Sequence, residues 1–441
     1  MQDFKLSKDI VYKVSKAKKE PKWMLDFRLK ALDAFNEKPM PKFGPDLNQL
    51  DFSKLDYYEK PVGKYSSWDE MPEDLRNVYE KIGVPEADKN FLSGTGAMYD
   101  SEVIYNTLKT EWEEMGVIFT DIETGLREHP ELFKEYFSKI VPINDNKFAS
   151  LNSALWSGGS FIYIPKGVKI DKPLQAYFRI NTANLGQFER TLIIADEDSY
   201  VHYIEGCSAP IYTEDALHAG VIEIIVKKGA RVRYTTIQNW STNVYNLTTQ
   251  RMHVYENGFG EWVDGNIGSK ITMKYPSIVL LGDNSKGETM SLSVASKNQI
   301  QDTGAKMIHI GKNTSSQIIS KSVSLNGGEA SFRSLVAVKK DADKAKIDST
   351  CDALILDGES SSNTYPDNFI SNKKAKVNHE ASISRLSQTK LFYLTSRGVS
   401  EEEAKAMLVN GFIEPIMKQI PLEYAVELNR LIELSMEGSV G

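Results

Sequence analysis

The alternation of apolar and polar residues changes twice along the chain, near residues 148 and 385. Between about 148 and 378, short runs alternate apolar and polar residues, as in "GVIEIIVKKGARVRYTTIQNW" and "AKMIHIGKNTSSQIISKSVSL". Such alternation is typical of strands with one buried face. Turns rich in Gly, Asn, Asp and Lys recur between the runs, about 30 residues apart at first and about 15 later. This repetition without a long helix favours stacked coils of a β-solenoid, and a large β-sandwich is the alternative.

Helical periodicity flanks this region on both sides. "SEVIYNTLKTEWEEMG" (101–116) predicts a short helix, because Ser101 suits an N-cap and Gly116 a stop. "GVSEEEAKAMLVNGF" predicts another, in which Ser400 and Glu403 form a capping box. "PLEYAVELNRLIELSMEG" carries a broad apolar face over 421–437. These last helices either cap the open end of the solenoid or bind a partner.

Together these patterns predict three regions and a mainly β fold. Residues 1–147 form an N-terminal helical and loop region, 148–384 the β-solenoid core, and 385–441 a C-terminal helical domain.

Composition narrows the class of protein. The 441 residues are 26% charged with a formal net charge of −7, which is ordinary for a globular protein and does not suggest a nucleic-acid binder. The N-terminus lacks the apolar stretch of a secretory signal, and no run of about 18 apolar residues predicts a membrane span. Two cysteines form no disulfide framework, so we expect the reducing cytoplasm.

Familiar catalytic motifs are missing from the sequence. It contains no G-x-x-x-x-G-K-[ST] phosphate loop, no C-x-x-C and no G-x-S-x-G. The chain therefore has no P-loop nucleotide site of its own.

Cys351, His379 and Glu380 are the first candidate site. His379 follows Cys351 by 28 residues, so with coils of about that length the two lie on neighbouring coils, about 4.8 Å apart. Thiolate, imidazole and carboxylate suit iron or zinc. However, His379 and Glu380 are consecutive, and a regular strand points them to opposite faces. The alternative is a buried structural cysteine beside a surface His-Glu pair.

Cys207 is the second candidate. Gly206 and Pro210 bracket it in "HYIEGCSAPIY", which suggests an accessible thiol at a strand end. Burial as a small apolar side chain is the alternative.

Several longer stretches resemble a known family. "EGCSAP", "TTIQNW", "DTGAKMIHIGKNTSSQIISKSVS", "STCDALILDG", "NHEASISRL" and "PLEYAVELNRLIELSMEGSVG" closely resemble the SufB/SufD family of the SUF iron–sulfur cluster assembly machinery, and its SufB branch in particular. The resemblance runs from about residue 70 to the C-terminus. It implies a right-handed parallel β-helix between helical terminal regions.

The resemblance also implies a function and partners. The chain would be an assembly scaffold rather than an enzyme, accepting persulfide sulfur and iron and passing nascent clusters to apo iron–sulfur proteins. It would pair with a SufD-like paralogue or a second SufB copy. A SufC-like ATPase would bind the C-terminal helices and hydrolyse ATP. A cysteine desulfurase and its relay protein would supply sulfur, and the family also permits bound reduced flavin.

Residue roles follow from the same resemblance. Cys207 would accept sulfur, and Cys351 would hold the nascent cluster with Glu380 and, secondarily, His379. An internal passage between the two cysteines would be lined by Arg179, Asn181, Gln238 and Trp240. Apart from the resemblance, a free thiol needs activation by its surroundings, and we nominate Arg179 as the cation that activates Cys207. An enclosed route would keep a persulfide from side reactions in water.

The sequence departs from the family pattern in three places. Gln250 stands where the family often has Lys, and Asn378 stands where an acidic residue usually precedes the His. An N-terminal cysteine-rich motif of some members is also missing. A structural SufD-like protein and a carbohydrate-acting β-helix enzyme are the rivals, although the latter needs clustered acids that the sequence lacks.

Overall fold

The computed structural model shows a β-solenoid with helices on its outer surfaces. It describes residues 6–58, 65, 67–70, 73, 76, 92–100, 102–182, 184–209, 214–420, 425 and 432. The solenoid makes about eight turns between residues 161 and 385. The predicted mainly β, solenoid fold is therefore confirmed.

Two long sheets form the walls of the solenoid. The first sheet runs in the order β2-β1-β5-β8-β11-β13-β16-β18-β20-β22, and the second runs from β21 through β19, β17, β14, β12, β10, β7 and β4 to β3. The strands of the first sheet are β1 (Gly94–Tyr99), β2 (Glu102–Leu108), β5 (Leu174–Arg179), β8 (Tyr200–Ser208), β11 (Arg231–Trp240), β13 (Phe259–Gly268), β16 (Lys286–Ala295), β18 (Ser315–Ser324), β20 (Lys346–Ile355) and β22 (Lys376–Arg385). Those of the second are β3 (Ile118–Asp121), β4 (Ser160–Ile164), β6 (Gly186–Gln187), β7 (Arg190–Ala195), β9 (Ala216–His218), β10 (Val221–Val226), β12 (Val244–Val254), β14 (Ile271–Lys274), β15 (Ser277–Leu280), β17 (Ile300–His309), β19 (Glu329–Val338) and β21 (Ser361–Ile370).

Neighbouring coils pair in parallel and in continuous register. Partner residues in the first sheet are 27 to 31 positions apart from β8 to β22, as the spacing of the early turns predicts. Because parallel register is kept, residues of the same parity stack in columns along the solenoid. The solenoid interior holds the largest apolar cluster, which includes Ile222, Ile224, Tyr234, Trp262 and Ile318.

Helices cover the outer faces of both sheets. They are α1 (Lys8–Ala17), α2 (Lys22–Glu37), α3 (Thr110–Glu114), α4 (Ile122–Glu128), α5 (Pro130–Tyr136), α6 (Lys147–Leu155), α7 (Gln388–Thr395) and α8 (Glu401–Met417). The N-terminal helices pack on the outer side of the second sheet, where Phe133 and Trp156 meet Leu192 and Ile194.

The predicted helix over 101–116 is wrong for most of its length. Glu102–Leu108 forms strand β2, antiparallel to β1, and only Thr110–Glu114 is helical. Pairing with β1 outweighs the weak local helix preference of this stretch, which contains the β-branched Val103 and Ile104.

The C-terminal helix lies on the side of the solenoid, not over its end. Ser400 is the N-cap of α8 and forms the predicted capping box with Glu403. Val409 and Ile413 of α8 pack on outward residues of the first sheet such as Val323. The predicted helix over 421–437 lies outside the described residues, except for Ala425 and Ile432. Ile432 is 1% exposed and belongs to the same apolar cluster.

The last coil is open at one end. β21 and β22 are edge strands of the two sheets, and Ile370, Val377 and Ile383 are exposed there. Within the described part of the chain, no helix combines the length and the apolar character needed to cross a bilayer.

Candidate functional site

Both cysteines point into the solenoid. Cys207 lies near the end of β8 and is 1% exposed, and Cys351 lies in the middle of β20 and is 2% exposed. Burial is therefore the observed state of the Cys207 thiol. Five steps between neighbouring strands separate β8 from β20 in the sheet order, which is about 24 Å at the usual strand spacing of ~4.8 Å.

Two columns of polar side chains line the interior between the cysteine coils. The first column consists of Glu205, Thr236, Asp264, Ser291, Ser320 and Cys351. The second consists of Cys207, Gln238, Asn266, Ser293 and Ser322. All of these side chains are buried. These two columns lie beside the apolar cluster of the interior, which includes both cysteines. They form a polar path between the coil of Cys207 and the coil of Cys351.

Cys207 lies among carboxylates rather than cations. Its thiol donates a weak hydrogen bond to Oε1 of Glu205, 3.7 Å from Sγ. Burial raises the pKa of Cys207 well above its usual value, and the charges of Glu205 and Glu189 raise it further, while Lys274 acts in the opposite direction. The thiol is therefore protonated at neutral pH unless a neighbouring group removes its proton.

Gln238 and Trp240 belong to a buried network next to Cys207. Gln238 is the register partner of Cys207, and its Oε1 accepts a hydrogen bond from Asn246, 2.6 Å away. His218 bridges Asn246 at 2.8 Å and Glu189 at 2.5 Å, and the Trp240 ring lies 4.5 Å from its imidazole centroid. These contacts hold Gln238 and Trp240 toward the interior.

Arg179 and Asn181 lie elsewhere. Arg179 pairs in register with Ser208, so its side chain leaves β5 on the face opposite to Cys207, and its Nη1 donates to Ser208 Oγ at 3.3 Å. The backbone N–H of Asn181 donates to Asp100 at 2.6 Å. The structure thus does not bring Arg179 next to the Cys207 sulfur.

A buried lysine stands near the family's usual cation position. Gln250 faces the interior and is buried, and Lys274 is the register partner of Thr248 on the next coil. Lys274 Nζ forms a buried ion pair with Asp264 Oδ1 at 3.1 Å. Lys274 could have been noticed in the sequence, because it is the single charged residue in the otherwise uncharged run "ITMKYP". Sequence reasoning also missed Glu205, although "EGC" places it two residues before Cys207 and hence on the same strand face.

His379 shares the face of Cys351, and Glu380 does not. The register pairs Ser349 with His379, Thr350 with Glu380 and Cys351 with Ala381. His379 therefore lies one strand away from Cys351, diagonally across the end coil, while Glu380 points outward. Burial raises the pKa of Cys351 to about 11.

Both ring nitrogens of His379 have no hydrogen-bond partner among the described residues, although each atom is buried. Buried imidazole nitrogens normally bind a partner or a metal. No three His, Cys, Asp or Glu side chains converge as a metal site within the described ranges. A cluster held at Cys351 and His379 would therefore need further ligands from outside these ranges.

Comparisons with known proteins agree with this architecture. A family model described as "SUF system FeS cluster assembly, SufBD core domain" matches residues 178–412, and one described as "SufBD protein N-terminal region" matches 13–176. An "Iron-sulfur cluster assembly SufBD family protein" of Staphylococcus epidermidis is 58% identical over 437 residues, covering 99% of this chain and 94% of the relative. Proteins of the same description from Staphylococcus haemolyticus and Staphylococcus aureus are 58% and 57% identical over the same shares.

Proposed function

Because this chain belongs to the SufBD family of iron–sulfur cluster assembly proteins, we propose that it is the SufB-type scaffold on which the SUF system builds new clusters. Sulfur is accepted as a persulfide at Cys207. It is then combined with iron at Cys351, and the finished cluster passes to an apo-protein. Iron and sulfur are substrates here rather than resident cofactors.

The two columns of buried polar side chains between the cysteines are the observation that carries this function. A protein that used its solenoid only for structure would fill the interior with apolar side chains, which stabilise a fold at lower cost than buried polar groups. Here Thr236, Asp264 and Ser320 occupy successive coils between Glu205 and Cys351. Such a route suits a small polar sulfur species that must not meet bulk water.

The cluster end of the route lies beside the open coil. Cys351 provides a thiolate, the preferred ligand of iron–sulfur species. His379 provides an imidazole whose ring nitrogens bind no other described residue. A partner stacked on β22 would bring the remaining ligands and cover the exposed Val377 and Ile383. A scaffold must release the finished cluster. A site whose ligands come from two chains suits this release, because the cluster is freed when the two chains move apart. We propose a SufD-like paralogue or a second copy of this chain as that partner.

ATP hydrolysis is assigned to a separate SufC-like subunit, because the sequence has no P-loop. Its docking surface would include the exposed apolar side chains of the C-terminal helices. Phe392 is 73% exposed on α7, and Met407 is 55% exposed on α8.

Labelled-sulfur transfer and anaerobic reconstitution test the scaffold function together. Wild type, Cys207→Ser and Cys351→Ala are each incubated with a cysteine desulfurase and labelled cysteine, and then with iron. Cys207→Ser should lose most of the bound label, and Cys351→Ala should keep the label but form no cluster with visible absorption. If both variants take up sulfur and build a cluster as wild type does, the two cysteines do not have these roles. If wild type itself does neither, the chain is a structural SufD-type subunit instead.

A further inference from the structure

The Cys207 thiol can lose its proton only to a group inside the solenoid. Its side chain is 1% exposed, so bulk water does not reach the sulfur in this structure. The thiolate, not the thiol, attacks a persulfide. A base within hydrogen-bond reach is therefore needed for sulfur transfer to a buried cysteine.

Glu205 is the one carboxylate in contact with the Cys207 sulfur among the described residues. It precedes Cys207 by two positions on β8, so both side chains leave the strand on the interior face. Oε1 of Glu205 accepts a hydrogen bond from the Cys207 thiol, and the distance between Oε1 and Sγ is 3.7 Å. Its other oxygen, Oε2, has no partner with hydrogen-bond geometry within the described part of the chain.

We propose that Glu205 is the general base that removes the Cys207 proton when sulfur is transferred to this cysteine. This assignment rests on the proposed role of Cys207 as the sulfur acceptor. Other charged groups nearby are already paired: Asp264 with Lys274, and Glu189 with His218.

The transfer step balances without an oxidant or a reductant. The carboxylate of Glu205 takes the thiol proton, and the Cys207 sulfur attacks the outer sulfur of the donor persulfide. A new S–S bond forms at Cys207 while the donor's S–S bond breaks. The donor leaves as a thiolate, which takes the proton back from Glu205 and restores the carboxylate.

The surroundings of Glu205 suit a base at neutral pH. Burial raises the pKa of Glu205 to about 7, and the charge of Glu189 raises it too. Tyr234 from β11, Lys274 from β14 and His218 act in the opposite direction. A carboxyl with a pKa near the working pH is partly ionised and still a useful proton acceptor.

The Glu205→Gln variant separates a base from a merely electrostatic neighbour. Gln keeps the size and can still accept the thiol hydrogen bond, but it cannot take the proton. The negative charge of Glu205 raises the pKa of Cys207, so its removal should shift the ultraviolet thiolate titration of Cys207 to lower pH. If Glu205 acted only through its charge, sulfur acceptance would be unchanged or faster in this variant. If it is the base, acceptance at neutral pH should slow by about a hundredfold, the low end of general-base effects.

The experiment uses the full chain in a Cys351→Ala background, so that Cys207 is the only thiol. Initial rates of label transfer from a desulfurase with labelled cysteine are measured from pH 6 to pH 8.5, chosen to bracket about one unit or more around neutrality. The Cys351→Ala protein that keeps Glu205 should show a rate of label transfer that rises through about pH 7. The same protein with Glu205→Gln should lack this rise. Glu205→Asp, which retains a carboxylate one methylene shorter, should recover part of the rate.

Glu189→Gln is the matched control. Glu189 is a second buried carboxylate whose negative charge raises the pKa of Cys207, but its hydrogen bond goes to His218 and not to the Cys207 sulfur. Circular dichroism and the thermal midpoint check that each variant folds. A Glu205→Gln protein that is folded and accepts sulfur as fast as the control overturns the base assignment. If instead Cys207→Ser accepts label like wild type, the proposed function itself fails, whatever Glu205 does.

Discussion

His379 lies on the same face of the solenoid wall as Cys351, one coil further along. It is the register partner of Ser349, two residues before Cys351, and Cys351 itself is paired with Ala381. Glu380 is paired with Thr350 and therefore points to the outer face. The coil here is 30 residues long rather than 28, which moves His379 from directly opposite Cys351 to a diagonal position.

This geometry predicts that His379 matters more than Glu380 for holding a cluster. After anaerobic reconstitution with iron and sulfide, Cys351→Ala and His379→Ala should lose the visible absorption of the cluster. Glu380→Ala should keep most of it, because its carboxylate leaves the strand on the other face. Titration with iron should show a loss of affinity for His379→Ala of about tenfold or more. The reverse order of effects would mean that Glu380 rather than His379 faces Cys351, contrary to the register of β20 and β22.

The Lys274–Asp264 pair predicts a strong stability effect inside the polar path. Lys274→Met leaves the Asp264 carboxylate buried without its cation, and breaking such a pair costs about 3–5 kcal/mol. The double variant Lys274→Met, Asp264→Leu removes both charges and should recover most of the lost stability. Thermal unfolding followed by circular dichroism measures both. A single variant as stable as wild type would show that Asp264 is neutral in the folded state; burial does raise its pKa.

The sequence predicts the solenoid well because its signal is repeated. Strand alternation and turns recur in every coil, so errors in one coil do not change the fold class, and the spacing of about 28 residues agrees with the observed register of 27 to 31. In contrast, residues 101–116 contain a single ambiguous run. There, pairing of β2 with β1 decides the structure, and nothing local reveals it.

The site could be predicted only in part for the same physical reason. Strand parity already separates His379 from Glu380, but which of them faces Cys351 depends on the coil length to within one residue. Interior neighbours from the opposite wall, such as His218 and Lys274, cannot be found by spacing along one strand. The burial of Cys207 also could not be predicted from "EGCSAP", because flanking Gly and Pro suggest a turn at the surface.

Acid should destabilise the solenoid through its buried histidines. Burial lowers the pKa of His309 to about 4, while Thr314 and Ser316 hold its ring by hydrogen bonds of 2.8 and 2.9 Å. The unfolded chain binds a proton at pH 6.5 and below, whereas the folded chain does not until about pH 4. Stability is therefore complete above pH 6.5 and falls as the pH decreases, by about 2 kcal/mol from this residue at pH 5.

The thermal midpoint measured between pH 7 and pH 5 checks this dependence. His309→Gln should be less stable than wild type at pH 7, since it loses ring contacts, but its midpoint should fall less on acidification. An equal fall in both proteins would assign the acid sensitivity to other groups, such as His253, whose pKa burial also lowers to about 4.

The C-terminal helices predict where the ATPase subunit binds. Ile432 is buried against the outer face of the first sheet, so Ile432→Asp should destabilise the protein by at least the 2–5 kcal/mol typical of large core truncations. The exposed Phe392 and Met407 are better tests of docking. Phe392→Asp with Met407→Asp should abolish co-purification with a SufC-like ATPase and leave the thermal midpoint nearly unchanged.

Met115→Asp is the control for that experiment, because Met115 is 56% exposed on a distant part of the chain. It should leave co-purification intact. Retained binding by the Phe392 and Met407 variant would place the ATPase on residues outside the described ranges.

The open end of the solenoid predicts pairing with another chain. β21 and β22 are ten-residue strands at the edges of the two sheets, and no described strand pairs with their outer sides. Long edges of this kind lead to association. Val377 and Ile383 have the interior parity of β22, but they are exposed because none of the described residues forms a further coil on top of them. Replacing both with Asp should cost little in the isolated coil and prevent a partner from stacking, since two charges would be buried without counter-ions.

Light scattering after size exclusion should then show a monomer where wild type forms a dimer, or co-expression with the SufD-like paralogue should no longer yield a complex. Tyr255→Asp, at an exposed position away from the end coil, should behave as wild type. If the Val377 and Ile383 variant still pairs normally, the partner does not stack on β22, and Cys351 and His379 lie too far from any second chain for it to complete their site.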